Sequence, residues 1–249
     1  MPSIPFYDDP AYDYKTYWQE RKYEDLADQL ALKKLLAKIP PGENLIDIGA
    51  GFGRMVPVYT SKFKHFTLVD PSEKMLDKAK KRIKRRGTKF IKAYGEKLPF
   101  KKEGFDVALM IRTIHHLENP QKTLKEVQRI LKPQGFLILE FANKLHLKTQ
   151  IKAFLSLRWG YFFDPKPIKV GQKKKKTVPF YNYHPQYIKK ILKNTGFNVL
   201  QALSVSNFRN PIFKKFLPLK SLLFAENLLQ KIYAPFYLGP SIFLLCQKK

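Results

Sequence analysis

From residue 40 to residue 142 the chain alternates short apolar runs with stretches whose apolar positions recur at helical spacing. Asn44–Ile48, Phe66–Val69, Lys89–Lys92, Phe105–Ile111 and Phe136–Phe141 read as strands, the last following the turn Lys132-Pro133-Gln134-Gly135. A helix is expected after the glycines of 49–53, a second from Ser72-Glu73 to about Arg86, and a third over Pro120–Leu131. Strands alternating with helices predict an α/β fold, a doubly wound, mostly parallel sheet with helices on both faces.

Both flanks break this rhythm. Residues 1–39 form an N-terminal arm in which Tyr17, Trp18, Leu26, Leu30 and Leu35 fall at helical spacing until Pro40-Pro41-Gly42. From 143 to 184 aromatics, prolines and the run Lys173–Lys176 suggest a cap insertion over the sheet's ligand edge. Regular elements resume with a helix over Pro185–Asn194 and a strand over Phe197–Val205. The apolar and basic segment 211–238 then leads to a last strand, Ser241–Gln247.

The 249 residues suit one domain with a small cap. Apolar residues make up 44% and aromatics 14%, enough to build a substantial core and exclude wholesale disorder. Lys plus Arg number 47 against 20 Asp plus Glu, a net charge of +27 that favours anionic partners such as nucleic acid or acidic lipid. The basic residues look spread along the chain, so charge alone does not name a substrate. Cys246 is the only cysteine, which excludes an internal disulfide or a cysteine-based zinc site and fits the cytoplasm. The N-terminus shows no signal-peptide pattern, and no apolar run reaches the ~20 residues of a spanning helix.

The chemistry concentrates in Asp47-Ile48-Gly49-Ala50-Gly51-Phe52-Gly53. Glycines at alternate positions beyond a strand's carboxyl end let a ligand approach bare backbone. A dinucleotide fingerprint would place its third glycine at position 54, where Arg54 stands. Asp47, two residues before the first glycine, suits a cationic ligand better than a pyrophosphate. Asp70 ends the second strand, where a carboxylate can accept from ribose hydroxyls.

Five pieces in order carry a resemblance to the class I S-adenosylmethionine (SAM)-dependent methyltransferases, particularly the small-molecule group that includes the ubiquinone and menaquinone biosynthesis methyltransferases. They are LIDIGAGFGR at 45–54, LVDPSEKML at 68–76, EKLPF at 96–100, FDVALMIRTIHHL at 105–117 and LKEVQRILKPQGFLILE at 124–140. The resemblance implies a Rossmann-like seven-stranded sheet with its last strand antiparallel, and SAM across the carboxyl ends of the first, second and fourth strands. It places Gly49, Ala50 and Gly51, in the turn completed by Gly53, along the methionyl part, with Asp47 near the ammonium and Asp70 on the ribose. Pro71 and the backbone of Glu96, Lys97 and Leu98 would border the adenine, and Ile111 and Arg112 would close the site below the sulfonium. The chain departs from the family at Ala93-Tyr94, where a Gly-Asp commonly meets the adenine amino group. Tyr94 is then a stacking partner of the base or a packing residue, and Glu96 a substitute for that bond.

His115 and His116 follow the fourth strand, where a general base would sit, although methyl transfer from a sulfonium depends mainly on alignment and desolvation. Tyr181 and His184, before the helix ending in Gly196-Phe197, are the cap's candidates to face an acceptor. A small-molecule, lipid-like or quinone-precursor acceptor fits the aromatic cap, and segment 211–238 could rest on an anionic membrane. An RNA methyltransferase is the rival reading, ranked lower because no Asn-Pro-Pro-Tyr-like motif follows the fourth strand and Cys246 is no candidate nucleophile. A non-catalytic SAM-binding or scaffold protein is the third, and the retained glycine turn argues against it.

Overall fold

The structure is a computed structural model that describes residues 14–170 and 180–249, so the run Lys173–Lys176 lies outside the described residues. Strands β1 (Gly42–Ile48), β2 (Phe63–Asp70), β3 (Thr88–Lys92), β4 (Phe105–Met110), β5 (Leu131–Ala142), β8 (Phe197–Val205) and β9 (Ser241–Lys248) form one sheet in the order β3-β2-β1-β4-β5-β9-β8. The first five pair in parallel, and β9 runs antiparallel between β5 and β8. The reversal of strand order on either side of β1 and β4 opens a crevice at their carboxyl ends, the natural ligand edge of such a sheet.

Alternation within the strands builds two cores. Leu45, Leu68 and Leu109 face one side, with Ala27, Leu32 and Leu35 of helix α2 (Lys22–Leu36). Ile46, Ile48, Val69 and Ala108 face the other, with Leu124 and Val127 of α5 (Pro120–Ile130) and Ile188 of α7 (Pro185–Asn194). The arm's short α1 (Tyr14–Gln19) precedes α2, which packs on α9 (Leu219–Ile232) and the last strands.

Helix starts are capped by side chains. Ser72 Oγ accepts from Met75 N before α4 (Glu73–Arg82), Asn119 Oδ1 accepts from Lys122 N before α5, and His184 Nδ1 accepts from Gln186 N before α7. Elsewhere the expected elements change. The helix after the glycine turn is only α3 (Val56–Tyr59), and α4 stops at Arg82 instead of Arg86. Ile83 turns to extended backbone there, and its Cδ1 would lie 2.5 Å from a Cβ at Gly53. The expected 132–135 turn is an irregularity inside β5, with Gln134 at φ 60° and the register with β4 shifting between Phe105 and Val107. Segment 211–238 resolves into α8 (Pro211–Phe216) and α9, and the cap contributes α6 (Leu147–Leu155), a 3-10 turn at Trp159–Phe162 and the pair β6 (Ile168–Lys169) and β7 (Tyr181–Asn182). Among the described residues no helix is long and apolar enough to cross a membrane.

Candidate active site

The turn between β1 and α3 is built for close backbone approach. Gly49, Gly51 and Gly53 have φ of 72°, 55° and 75°, the left-handed region that side chains disfavour. At Gly49 space forbids a side chain too, because a Cβ would stand 2.2 Å from Thr113 Oγ1. That hydroxyl donates to Ile48 O and ties the end of β4 to the end of β1. Gly49 N and Ala50 N both donate to Val69 O, which locks the turn onto β2.

Asp70, buried at the end of β2, accepts from Gly51 N at 2.8 Å through one oxygen and from Ser72 N at 2.9 Å through the other. Asp47 is 3% exposed and lines a small cavity with Gly49, Ala50, Arg54, Met55, Ile111 and Arg112. Burial pushes its pKa up to about 7, against the bond from Tyr59 Oη at 3.0 Å and the nearby Arg54 cation. An ammonium in the cavity would supply the missing counter-charge. The donor set and the bare turn therefore fit SAM at its methionyl end.

The nucleoside end is roofed. Trp18 of α1 packs with Phe52 and Met75, and Arg54 stacks its guanidinium 3.7 Å above the Trp18 ring. The open volume beside the turn is about 20 Å³, room for a single water. The pocket expected to be bare from the sequence is therefore covered by side chains.

Buried ion pairs hold the arm down. Asp28 of α2 bonds Arg54 Nη2 at 3.0 Å and takes two bonds from Arg112, at 3.1 Å and 2.9 Å, while Asp25 bonds Arg54 Nη1 at 2.5 Å. Arg112, with φ 59°, also donates its backbone N to Glu140 Oε2 at 2.8 Å. Sequence reasoning missed Asp25, Asp28, Glu140, Thr113 and Tyr59. Thr113 and Glu140 lie inside two of the matching pieces but carry no role there, Asp25, Asp28 and Tyr59 lie in none, and 84 positions separate Asp28 from Arg112.

The remaining predicted residues divide. Ile111 and Arg112 line the cavity. Glu96 is half-buried, Lys97 and Tyr94 are exposed, and Leu98 N is committed to Glu126 Oε2 at 3.0 Å. Leu98 therefore anchors its loop and has no backbone donor left for a base. His115 is buried between His116 and Phe180, ring centroids 4.3 Å and 4.4 Å away, and burial drives its pKa well below the ordinary value. Its Nδ1 has no hydrogen-bond partner and stands 3.9 Å from Glu140 Oε2. His116 and Tyr181 are half-buried beside it. His184 uses Nδ1 to cap α7 and Nε2 to contact Phe162 O at 3.0 Å, so it holds the cap to α7 and has no nitrogen left for an acceptor.

Residues 46–139 match the family profile described as a methyltransferase domain. Over these residues the chain carries a methyltransferase domain. A ubiquinone/menaquinone biosynthesis C-methyltransferase from Bartonella quintana is 31% identical to it over 166 residues, 62% of this chain and 60% of that protein. A demethylmenaquinone methyltransferase from Chlamydia pneumoniae is 31% identical over 133 residues, 48% of this chain and 58% of that protein. The chain thus spans about 60% of the length of the first curated relatives it matches. A solved SAM-dependent methyltransferase from Thermotoga maritima shares the fold, with a TM-score of 0.62 at 23% identity over 98% of both chains.

Proposed function

We propose that this protein transfers a methyl group from SAM to a small-molecule acceptor of lipid-like or quinone-precursor type, in peripheral contact with an anionic membrane. The observation that carries the reading is the pair of buried acids, Asp47 and Asp70, on either side of the bare Gly49–Ala50–Gly51 backbone. The two quinone-pathway relatives support the acceptor class.

SAM would supply an electrophilic methyl on its sulfonium, the acceptor bonding to that carbon in line as the C–S bond breaks and the neutral thioether leaves. Asp47 holds the ammonium, Gly49, Ala50 and Gly51 border the methionyl chain, Gly53 completes the turn, and Asp70 takes the ribose hydroxyls. Pro71, Glu96, Lys97 and Tyr94 border the adenine, with Leu98 fixing their loop. Ile111 and Arg112 close the site beneath the reacting methyl, and the arm excludes water by returning over it. His115, His116 and Tyr181 border the acceptor. Burial keeps the His115 imidazole neutral and disfavours its protonated form, so it borders the acceptor without serving as an effective base.

The test has two steps. A rise in melting temperature with SAM establishes cofactor binding, since a ligand of the folded state stabilises it by mass action. Metabolite and lipid profiling of a deletion strain should then show a species one methyl lighter. No thermal shift at saturating SAM, or a deletion strain whose quinones and lipids are all fully methylated, refutes the proposal.

A further inference from the structure

The charge is not evenly spread after all. Between Ala142 and Ala225 the chain has one acid, Asp164, against seventeen lysines and arginines. Asp164 is itself engaged, accepting from Lys144 Nζ at 3.1 Å.

Topology brings part of this basic stretch to one edge of the sheet. β5 ends at Ala142 and leads into α6. β8 runs parallel to β5, because both pair antiparallel with β9, and leads through a turn into α8. Residues just before Ser241, where β9 begins, lie at that edge too. Exposed aromatics come from all three connections: Phe154, Trp159 and Phe163 from the first, Phe213 and Phe216 from the second, Phe236 from the third. Phe163 is 75% exposed and Phe216 73%. Ala153 is the only buried residue of α6, and α8 and the Trp159–Phe162 turn have none, so these elements lie on the surface with their apolar side chains outward. Apolar surface gathered in this way marks an interaction site.

Its chemistry selects the partner. Lys148 and Lys152 interleave with Ile151 and Leu155 on α6, and Lys215 sits beside Phe216 with its ammonium 5.6 Å from the ring centroid. Nucleic acid is held by phosphate contacts and by stacking, for which Ile151, Leu155 and Leu157 are useless. Acyl chains accept aliphatic and aromatic side chains alike, while anionic headgroups attract the lysines. We propose that this edge, formed by α6, the Trp159–Phe162 turn and α8, docks on an anionic lipid bilayer. The cleft mouth, at the same edge, then faces the membrane, and a lipid-like acceptor reaches it without crossing water. The acceptor route rests on the methyl-transfer reading, whereas docking stands on the surface alone.

Flotation of the full chain with phosphatidylcholine vesicles, with and without phosphatidylglycerol, tests this. Recovery is expected only with phosphatidylglycerol, and is expected to fall when salt rises from 0.1 M to 1 M and the Debye length shrinks from ~10 Å to ~3 Å. The combined Phe154→Ser, Phe163→Ser and Phe216→Ser variant should lose at least about tenfold in partitioning, a floor set by the burial of three rings. In a Trp18→Phe background Trp159 is the sole indole, and its emission should shift to the blue on the mixed vesicles. Absent recovery, equal recovery on neutral vesicles, or a triple variant that floats like the parent overturns docking. So does tight binding of single-stranded RNA with Trp159 unshifted on vesicles. Calorimetry with SAM in vesicle-free buffer separates the two readings, and unchanged SAM affinity shows that the triple variant is folded. Intact SAM binding without flotation removes docking only, whereas a parent that floats but binds no SAM removes the methyl-transfer reading only.

Discussion

Replacing Asp70 with alanine probes the cofactor site most directly. The carboxylate is 6% exposed and already accepts from Gly51 N and Ser72 N, so it is fixed in place before any ribose arrives. A hydrogen bond to a charged acceptor contributes about 1.5–3 kcal/mol, so its loss should weaken SAM binding by roughly ten- to one-hundred-fold. The same change strips two buried backbone donors of their acceptor and should lower stability by about 1–3 kcal/mol. Asp70→Asn separates the effects, because its amide oxygen keeps an acceptor for the turn while the charge is gone. Titration calorimetry should rank parent above Asp70→Asn above Asp70→Ala, with cooperative melting confirming that each variant is folded. A folded Asp70→Ala that binds SAM within twofold of the parent would mean that the ribose sits elsewhere.

Trp18→Ala removes the centre of the roof and should speed SAM association in stopped-flow mixing. An unchanged rate would show that the arm is not in the entry path. Asp47 keeps its proton in the folded state to about pH 7, while the unfolded chain releases it near the ordinary 3.8. Between those values folding retains a proton that unfolding sheds, so this group's contribution to stability falls as pH rises. SAM affinity should move the other way, rising from pH 6 to pH 7.5 as the carboxylate forms. Asp47→Asn should flatten that profile, and a parent affinity independent of pH would remove Asp47 as the ammonium's partner. Gly49→Ala places a Cβ at φ 72° and 2.2 Å from Thr113 Oγ1, for a backbone cost alone of about 1–3 kcal/mol. Adding Thr113→Ala should recover part of the loss, and strict additivity by chemical denaturation would show that the two positions do not meet.

What the sequence revealed was what local pattern encodes. β8 has the bounds its apolar run predicts, and the glycine turn and Asp70 stand where strand-turn-helix order puts them. What it concealed depends on distant pairing. α4 ends early because Ile83 packs at Gly53, thirty positions earlier, and no helix-stop residue marks the place. Trp18 was legible as an amphipathic position but not as a roof, since its partners Phe52 and Met75 come from two other segments. His184 has the composition of a site residue, yet the structure spends both its nitrogens on a helix cap and a cap carbonyl.

The electrostatics of the cleft run against those of the chain. Although the protein carries +27, the buried and half-buried groups around the turn are five acids, Asp25, Asp28, Asp47, Asp70 and Glu140, against two cations, Arg54 and Arg112. Burial raises the pKa of both Asp47 and Glu140. Even with both protonated, the remaining three acids exceed the two arginines, and a cation entering the site restores the ionised form of whichever carboxyl it meets. Arg54 and Arg112 would repel a sulfonium if they were free, and Asp25, Asp28 and Glu140 neutralise them at 2.5–3.4 Å. Two of those neutralising acids belong to the arm. On the proposed reading, in which the arm lifts to admit SAM, both arginines would lose counter-charge on opening and the site would become hospitable to a cation on return, so the same ion pairs would favour closure of the arm and retention of SAM.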